Sequence, residues 1–147
     1  MKATFLTSVF AALVLTTNVN AKNVKVYSNN ESNENGTLKE FVTLDNETSK
    51  PLTKDFYEYD VNGNIQEKTT SEWKDEKGWV NSRKYEYKYG KAGKVASVTY
   101  TKWDEKVNNW SDSSDVLVHI YDENDEFLTV KQIQIENSID NGFMTLK

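Results

Sequence analysis

Short alternating runs of apolar and polar residues fill the chain from residue 54 onward. Between Asn64 and Lys74 the alternation has the two-residue period of a strand whose two faces differ. Turn-forming residues interrupt the runs at Asp60–Gly63 and Lys74–Gly78. No window holds a sustained 3.6-residue apolar period, which makes helix nearly absent. The pattern predicts an all-β protein, an antiparallel up-and-down meander of about eight strands, twisted or curled toward a half-barrel.

The predicted strands come in repeats of about 30 residues. The motif Y-D-V-N-G-N-I at Tyr59–Ile65 recurs as Y-G-K-A-G-K-V at Tyr89–Val95 and as Y-D-E-N-D-E-F at Tyr121–Phe127. The offsets are 30 and 32 residues, and Trp73 and Trp103 each follow the repeat tyrosine by 14 residues. Each repeat predicts two strands and two turns.

The first turn of each repeat has a recognisable chemistry. Asp60 stands at its first position and Gly63 at its fourth, which suits a type I turn followed by a left-handed residue. In the third copy Asp125 replaces the glycine, and Asp tolerates that conformation better than most residues. Pairing about this turn sets Tyr59 opposite Ile65, and pairing about the next turn sets Trp73 opposite Trp79.

This pairing predicts one aromatic face on the sheet. It includes Ile65 and Tyr89 together with eight candidate binding residues: Tyr57, Tyr59, Trp73, Trp79, Tyr85, Tyr87, Trp103 and Trp110. Two of them, Trp73 and Trp103, would lie about 10 Å apart, two strands from each other. The opposite face should be wet, because it carries Lys68, Glu72, Lys84, Glu86 and Lys88.

Two interpretations of the aromatic row stay open. Exposed Trp and Tyr rings stack on sugar rings or bind a protein partner. Alternatively, the row is the core of a thin sheet, since a small chain needs its large apolar groups inside.

The sequence offers few residues that could form a catalytic site or a metal site. His119 is the only histidine and there is no cysteine, so a metal site built on these ligands lacks them, and repeat alignment makes His119 a core-edge residue. The motif that begins at Asp60 places side-chain oxygens at alternate positions, as a calcium-binding EF-hand loop does. Its glycine, however, is the fourth residue rather than the sixth, and Ser71 stands at the twelfth position, where an EF-hand needs Glu. Turn chemistry explains this motif without an ion. We predict no catalytic residue, no metal and no cofactor.

The last predicted hairpin differs from the others. Val116, Val118 and Ile120 lie on one side of its first strand, and Leu117, His119 and Tyr121 lie on the other. Both sides therefore look buried. The strand from Thr37 to Leu44 or the tail from Ile135 to Leu146 is expected to cover that end of the sheet.

Met1–Ala21 is predicted to be a secretory signal peptide. Lys2 gives a positive start, Phe5–Leu15 is almost entirely apolar, and small residues precede cleavage after Ala21. The alternative is a buried first helix. The remaining chain has no second apolar stretch of the roughly 18 residues that a membrane helix needs, so we expect no membrane insertion after cleavage. Residues 22–53 hold strands and polar loops and form one domain with the repeat-built sheet of 54–147.

Composition narrows the possible partners. The 147 residues include 23 acids against 18 Lys and Arg, a net charge of −5, whereas a nucleic-acid binder normally has a basic face. The absence of cysteine excludes disulfides and a lipid anchor at the cleavage site. The protein is expected to be exported to the periplasm or beyond.

Two resemblances follow from these motifs. The turn motif at Tyr59–Ile65 and Tyr89–Val95 resembles the YD repeats of large bacterial surface and toxin proteins, although Asn64 and Lys94 replace their usual Arg. The whole chain, with its W-K-D-E-K-G-W and W-D-E-K-V-N-N-W blocks, resembles a family of small secreted proteins of unknown function from Gram-negative gut bacteria. That resemblance implies export and a β-rich fold, and it assigns no functional residues.

The sequence therefore favours a non-catalytic binding module that uses its aromatic face for a glycan or a protein. The alternative is a structural protein that assembles through its sheet edges. A glycoside-active enzyme, with a carboxylate pair drawn from the many acids, is third.

Overall fold

A computed structural model describes residues 23–136 and 145–146 of the chain. Eight strands and one two-residue strand follow one another: β1 (Val24–Asn33), β2 (Gly36–Asp45), β3 (Pro51–Tyr59), β4 (Ile65–Lys74), β5 (Gly78–Tyr89), β6 (Val95–Asp104), β7 (Asn109–Tyr121), β8 (Phe127–Glu136) and β9 (Thr145–Leu146). Their order in the sheet is their order in the chain, which confirms the antiparallel meander. The described residues contain no helix, hence none that could cross a membrane.

The chain divides into two compact units at a boundary within β5. The first unit ends at Ser82 and holds β1 to β4 with the start of β5. The second unit begins at Arg83 and holds the rest of β5 with β6 to β9. The predicted signal peptide lies outside the described residues.

The three repeat turns share one backbone geometry, as predicted. Gly63, Gly93 and Asp125 have φ angles of 82°, 70° and 62°, so each occupies the left-handed region. In each copy the N–H of this residue donates to the carbonyl three residues earlier, at 3.0 to 3.1 Å. The predicted pairing of Tyr59 with Ile65 is confirmed.

An extra residue follows each of the three repeat turns. In the first unit Tyr59 pairs with Ile65 but Glu58 pairs with Glu67, which leaves Gln66 as a bulge. The second unit repeats the bulge, because Tyr89 pairs with Val95 and Lys88 with Ser97. A one-residue slip moves every later side chain of a strand to the other face.

The described residues bury few apolar side chains deeply. Val116 and Ile135 are 6% and 5% exposed. The other deeply buried positions carry hydroxyl groups: Thr70, Ser71, Thr101 and Ser114. Each hydroxyl has a hydrogen-bond partner, as burial of a polar group requires.

The two segments expected to cover the last hairpin pair within the sheet where the structure describes them, and residues 137–144 of the expected tail lie outside the described residues. β2 contains Thr37–Leu44 and pairs with β1 and β3. β9 pairs with the end of β8, beside Ile135 and Glu136, so it extends the sheet in its own plane. Leu117, Phe127 and Val130 are 38%, 57% and 39% exposed. The apolar residues on both sides of β7 therefore do not signal a second layer among the described residues.

Gly90 offers a test of the turn chemistry. Asp60 and Asp122 open the first and third turns, and each Oδ1 accepts two backbone N–H groups of its own turn. Gly90 has the same backbone bonds but no side chain, and a Cβ there would lie 3.9 Å from the Lys94 carbonyl oxygen, an ordinary van der Waals contact. We expect Gly90→Asp to raise the free energy of unfolding by about 1 kcal/mol, measured by urea denaturation.

Gly90→Ala is the matched control for this change. It restricts the unfolded chain in the same way but supplies no acceptor, so it should give only part of the gain. If Gly90→Asp is no more stable than Gly90→Ala, the aspartate does not hold the turn.

Gly36 is required for a different reason. It starts β2 with φ of 146°, and a Cβ there would overlap the carbonyl oxygen of Tyr59. We expect Gly36→Ala to lower the free energy of unfolding by about 2 kcal/mol or more. Gly63→Ala adds a Cβ in open space at a positive φ and should cost about 1 kcal/mol. If urea denaturation shows that Gly36→Ala and Gly63→Ala lose the same free energy of unfolding, the close approach of Gly36 to the Tyr59 carbonyl oxygen is contradicted.

Candidate functional site

A pair of tryptophans flanks the turn between β4 and β5. The rings of Trp73 and Trp79 meet edge to face, with centroids 5.2 Å apart and planes at 78°. Lys54 of β3 places its Nζ 5.2 Å from the centroid of Trp79. Both tryptophans are partly buried. We call Lys54, Trp73 and Trp79 the first tryptophan cluster.

The second unit carries the same arrangement between β6 and β7. The centroids of Trp103 and Trp110 are 5.1 Å apart, and their planes meet at 87°. Lys84 places its Nζ 5.2 Å from the centroid of Trp110. These rings are also partly buried. Lys84, Trp103 and Trp110 form the second tryptophan cluster, which differs from the first mainly in its longer turn.

Each cluster lies next to a buried, hydrogen-bonded hydroxyl. Ser71 precedes Trp73 by two residues on the same face, and its Oγ donates to Oδ1 of Asn81 at 3.1 Å. Thr101 holds the equivalent place before Trp103, and its Oγ1 lies 2.7 Å from Oγ of Ser114. These residues are opposite Lys54 and Lys84 in the register. The bonds fix the strand positions from which the tryptophans project.

The lysines of the clusters are also near acids. Lys54 Nζ lies 3.8 Å from Oε2 of Glu40, and Lys84 Nζ lies 3.2 Å from Oε2 of Glu86. Each tryptophan pair therefore has an ammonium donor beside its second ring and a carboxylate acceptor close to that ammonium. The four rings, two lysines and two acids are all partly buried, and Nε1 of Trp103 is buried without a hydrogen-bond partner among the described residues.

The predicted single aromatic face is wrong in both units. In the first unit Tyr57 pairs with Lys68, whose Nζ lies 5.0 Å from its ring, while Trp73 shares its face with Lys54 and Ser71. Residues directly paired across antiparallel strands project to the same side. Tyr57 and Tyr59, stacked at 6.3 Å, therefore lie on the face opposite Trp73 and Trp79.

The same division occurs in the second unit. Tyr85 pairs with Tyr100, with ring centroids 5.1 Å apart, and Tyr87 pairs with Val98. Thr101 and Trp103 alternate with these partners along β6 and project to the other side. The charged residues expected opposite the aromatic face are divided in the same way. In the first unit Lys68 and Glu72 lie on the same face as the tyrosines. In the second unit Lys84 and Glu86 lie on the same face as the tryptophans. The bulges after the turns cause the error, because sequence alternation counts no extra residue.

His119 packs as a core-edge residue. Its ring centroid lies 6.0 Å from that of Phe127, and it pairs with Val130 across the last hairpin. Its Nδ1 is buried, and no hydrogen bond to it is found within the described part of the chain.

Asp60 is held by its own turn. Its carboxylate accepts hydrogen bonds from the backbone of Asn62 and Asn64 and from the side-chain amides of Asn64 and Gln66, at 2.8 to 3.3 Å. The amide of Asn64, followed by its backbone N–H, lowers the pKa of this carboxyl below 3.8. Within residues 23–136 and 145–146, no group of three or more His, Cys, Asp or Glu residues is arranged to hold a metal ion.

The lowered pKa predicts a pH effect with a defined sign. Ionised Asp60 stabilises the fold above its unfolded pKa, and this contribution is lost as the pH falls through the lower folded pKa. We expect Asp60→Asn to melt at a lower temperature than the wild type at pH 7. The difference should shrink below about pH 4. The control is Asp112→Asn, which removes the same charge at an exposed position. Its difference in melting temperature from the wild type should not shrink as the pH falls. If it does shrink, the pH effect comes from net charge rather than from the turn of Asp60.

Comparisons with solved structures find chains that are similar to this one. A DUF3836 family protein from Bacteroides vulgatus is 24% identical over 58% of this chain and 87% of its own, with a TM-score of 0.41. A protein of unknown function from Bacteroides fragilis is 17% identical over 87% and 94%, with a TM-score of 0.46. A DUF3836 family protein from Parabacteroides distasonis is 16% identical over 78% and 93%, with a TM-score of 0.36. No curated protein matches the chain.

The family model gives the assignment. The model of a family of unknown function, DUF3836, matches residues 1–134. This agrees with the resemblance to a family without assigned function, and it names no binding or catalytic residue. The match covers most of the chain, and the protein therefore belongs to the DUF3836 family.

Proposed function

We propose that this chain is an exported, non-catalytic module, in the periplasm or outside the cell, that binds glycans through its two tryptophan clusters. One observation carries the proposal. The same three side chains recur in both units with closely matched geometry, namely a lysine 5.2 Å from the second ring and a tryptophan pair 5.1 to 5.2 Å apart.

The placement of the tryptophans favours recognition over stability. The most deeply buried positions in both units carry Thr and Ser, while all four tryptophans retain exposed surface. A tryptophan contributes most to stability when its large apolar area is fully removed from water. A chain shaped for stability alone would place its largest apolar groups at the buried positions. Partly exposed ring pairs, present twice, are what a ligand surface requires.

The surroundings of each pair favour a sugar over a protein. A sugar ring has an apolar C–H face that packs on an aromatic ring, and hydroxyl groups that need nearby donors and acceptors. Lys54 with Glu40, and Lys84 with Glu86, supply both kinds of group beside the rings. A stable protein interface needs a wider apolar centre than one ring pair offers.

We expect affinity gel electrophoresis to reveal binding to at least one of four soluble polysaccharides: xylan, galactomannan, mixed-linkage β-glucan and pullulan. Calorimetry with the matching oligosaccharide should give two sites per chain. Trp73→Ala and Trp103→Ala should each remove one site, or weaken it about tenfold, because each takes away a stacking ring. The double variant should not bind.

The tyrosines on the opposite faces provide matched controls. Tyr57→Ala and Tyr85→Ala also remove an aromatic ring from a half-buried strand position in each unit, so they should keep both sites while costing comparable stability. No retardation with any of the four polysaccharides would count against the proposal. Equal loss of binding in the Tyr and Trp variants would show that unfolding, not ring contact, abolishes it.

A further inference from the structure

In the part of the chain that the structure describes, β1 is a sheet edge without the usual protection. Among the described residues it pairs only with β2, over ten residues from Val24↔Asp45 to Asn33↔Gly36, with no register shift. The pairings of β2 with β3, β3 with β4, β5 with β6, β6 with β7 and β7 with β8 each contain a shift. Natural edge strands are commonly blocked by a bulge, a proline or several charges. β1 has no bulge, no proline and only two charged residues, Lys25 and Glu31.

The hairpin turn defines which backbone groups of β1 point outward. Asn33 and Gly36 close a two-residue loop, and such a closing pair exchanges both of its hydrogen bonds. Hydrogen-bonded and non-hydrogen-bonded pairs alternate along an antiparallel ladder. Val24, Val26, Asn30 and Ser32 are therefore among the positions that direct their N–H and C=O groups away from β2.

We propose that two copies of this chain associate by antiparallel pairing of β1 with β1, in the register that sets Lys25 opposite Glu31 of the second copy. The same register sets Val24 opposite Ser32 and Val26 opposite Asn30. Each of these residues directs its backbone groups outward, so the hydrogen-bonding positions of the two strands match. The pairing has two-fold symmetry and joins two β1 edges, so it closes at a dimer.

The charges on β1 select this register. Across the pairing with β2, Lys25 lies opposite Leu44 and Glu31 lies opposite Leu38. Neither charge has an ion pair within the part of the chain that the structure describes. In the self-paired register each finds an opposite charge at a non-hydrogen-bonded position, where facing side chains are closest. Two-fold symmetry supplies this pair twice.

The register also covers an exposed aromatic side chain. Tyr27 is 44% exposed in the single chain. In the proposed dimer it lies opposite Asn29 of the second copy, on the same side of the strand as the charge pairs. Its ring would therefore lose water contact across the new strand boundary. This association uses the edge of the sheet and is independent of glycan binding by the tryptophan clusters.

Sedimentation equilibrium of the purified protein over a wide concentration range tests the dimer. The wild type should reach a dimer and no larger species. Lys25→Glu and Glu31→Lys each convert both attractive pairs into repulsive ones, so each should raise the dimer dissociation constant about tenfold or more. The double variant Lys25→Glu/Glu31→Lys restores opposite charges and should recover the wild-type constant.

Two controls keep the outcomes distinct. Lys106→Glu changes an exposed turn residue between β6 and β7 and should leave the dimer unchanged. Far-UV circular dichroism checks that every variant keeps its strands. A wild type that stays monomeric at all concentrations overturns the proposal. So does a dimer that tolerates Lys25→Glu, or one that the double variant fails to restore.

Discussion

Backbone hydrogen bonds between neighbouring strands hold this chain together, because its described residues bury few apolar side chains deeply. Val116 and Ile135 are the apolar examples, and the remaining deeply buried positions carry hydroxyl groups. Stability must therefore come from the ladder itself and from many partly buried cross-strand contacts, each worth roughly 0.2–1 kcal/mol. Every pairing joins strands adjacent in the chain, so the ladder forms from local hairpins.

Side chains reinforce the ladder at several of its turns. Asp60 and Asp122 fix two of the repeat turns through their carboxylates. The tryptophan pairs close the opposite ends, where ring contact across the turn holds the last residues of two strands together. A lysine beside each second ring adds a cation–π contact to the same ends. The tryptophans thus stabilise their hairpins while part of each ring stays exposed.

The described part of the sheet offers two kinds of surface, its faces and the edge at β1. The faces carry side chains, and the glycan proposal concerns the tryptophan pairs on them. The edge of β1 carries backbone groups and suits another strand. The two proposals concern different parts of the fold: the strand ends at the hairpin turns for a glycan, and the outer side of β1 for a second copy. Membership of a family of unknown function favours neither use over the other.

The sequence by itself determined the features that depend on near neighbours in the chain. The left-handed φ of Asp125, the pairing of Tyr59 with Ile65 and the contact of Trp73 with Trp79 all follow from turn residues and short spacings. Only the tertiary structure decided which face each strand presents. Gln66 forms a bulge in β4, and this extra residue moves Lys68 to the same face as Tyr57. Counting alternate residues along the sequence does not reveal this shift. The sequence also could not predict that Leu117 and Val130 are exposed. Apolar residues on both sides of a strand give the same sequence pattern whether or not another layer covers them.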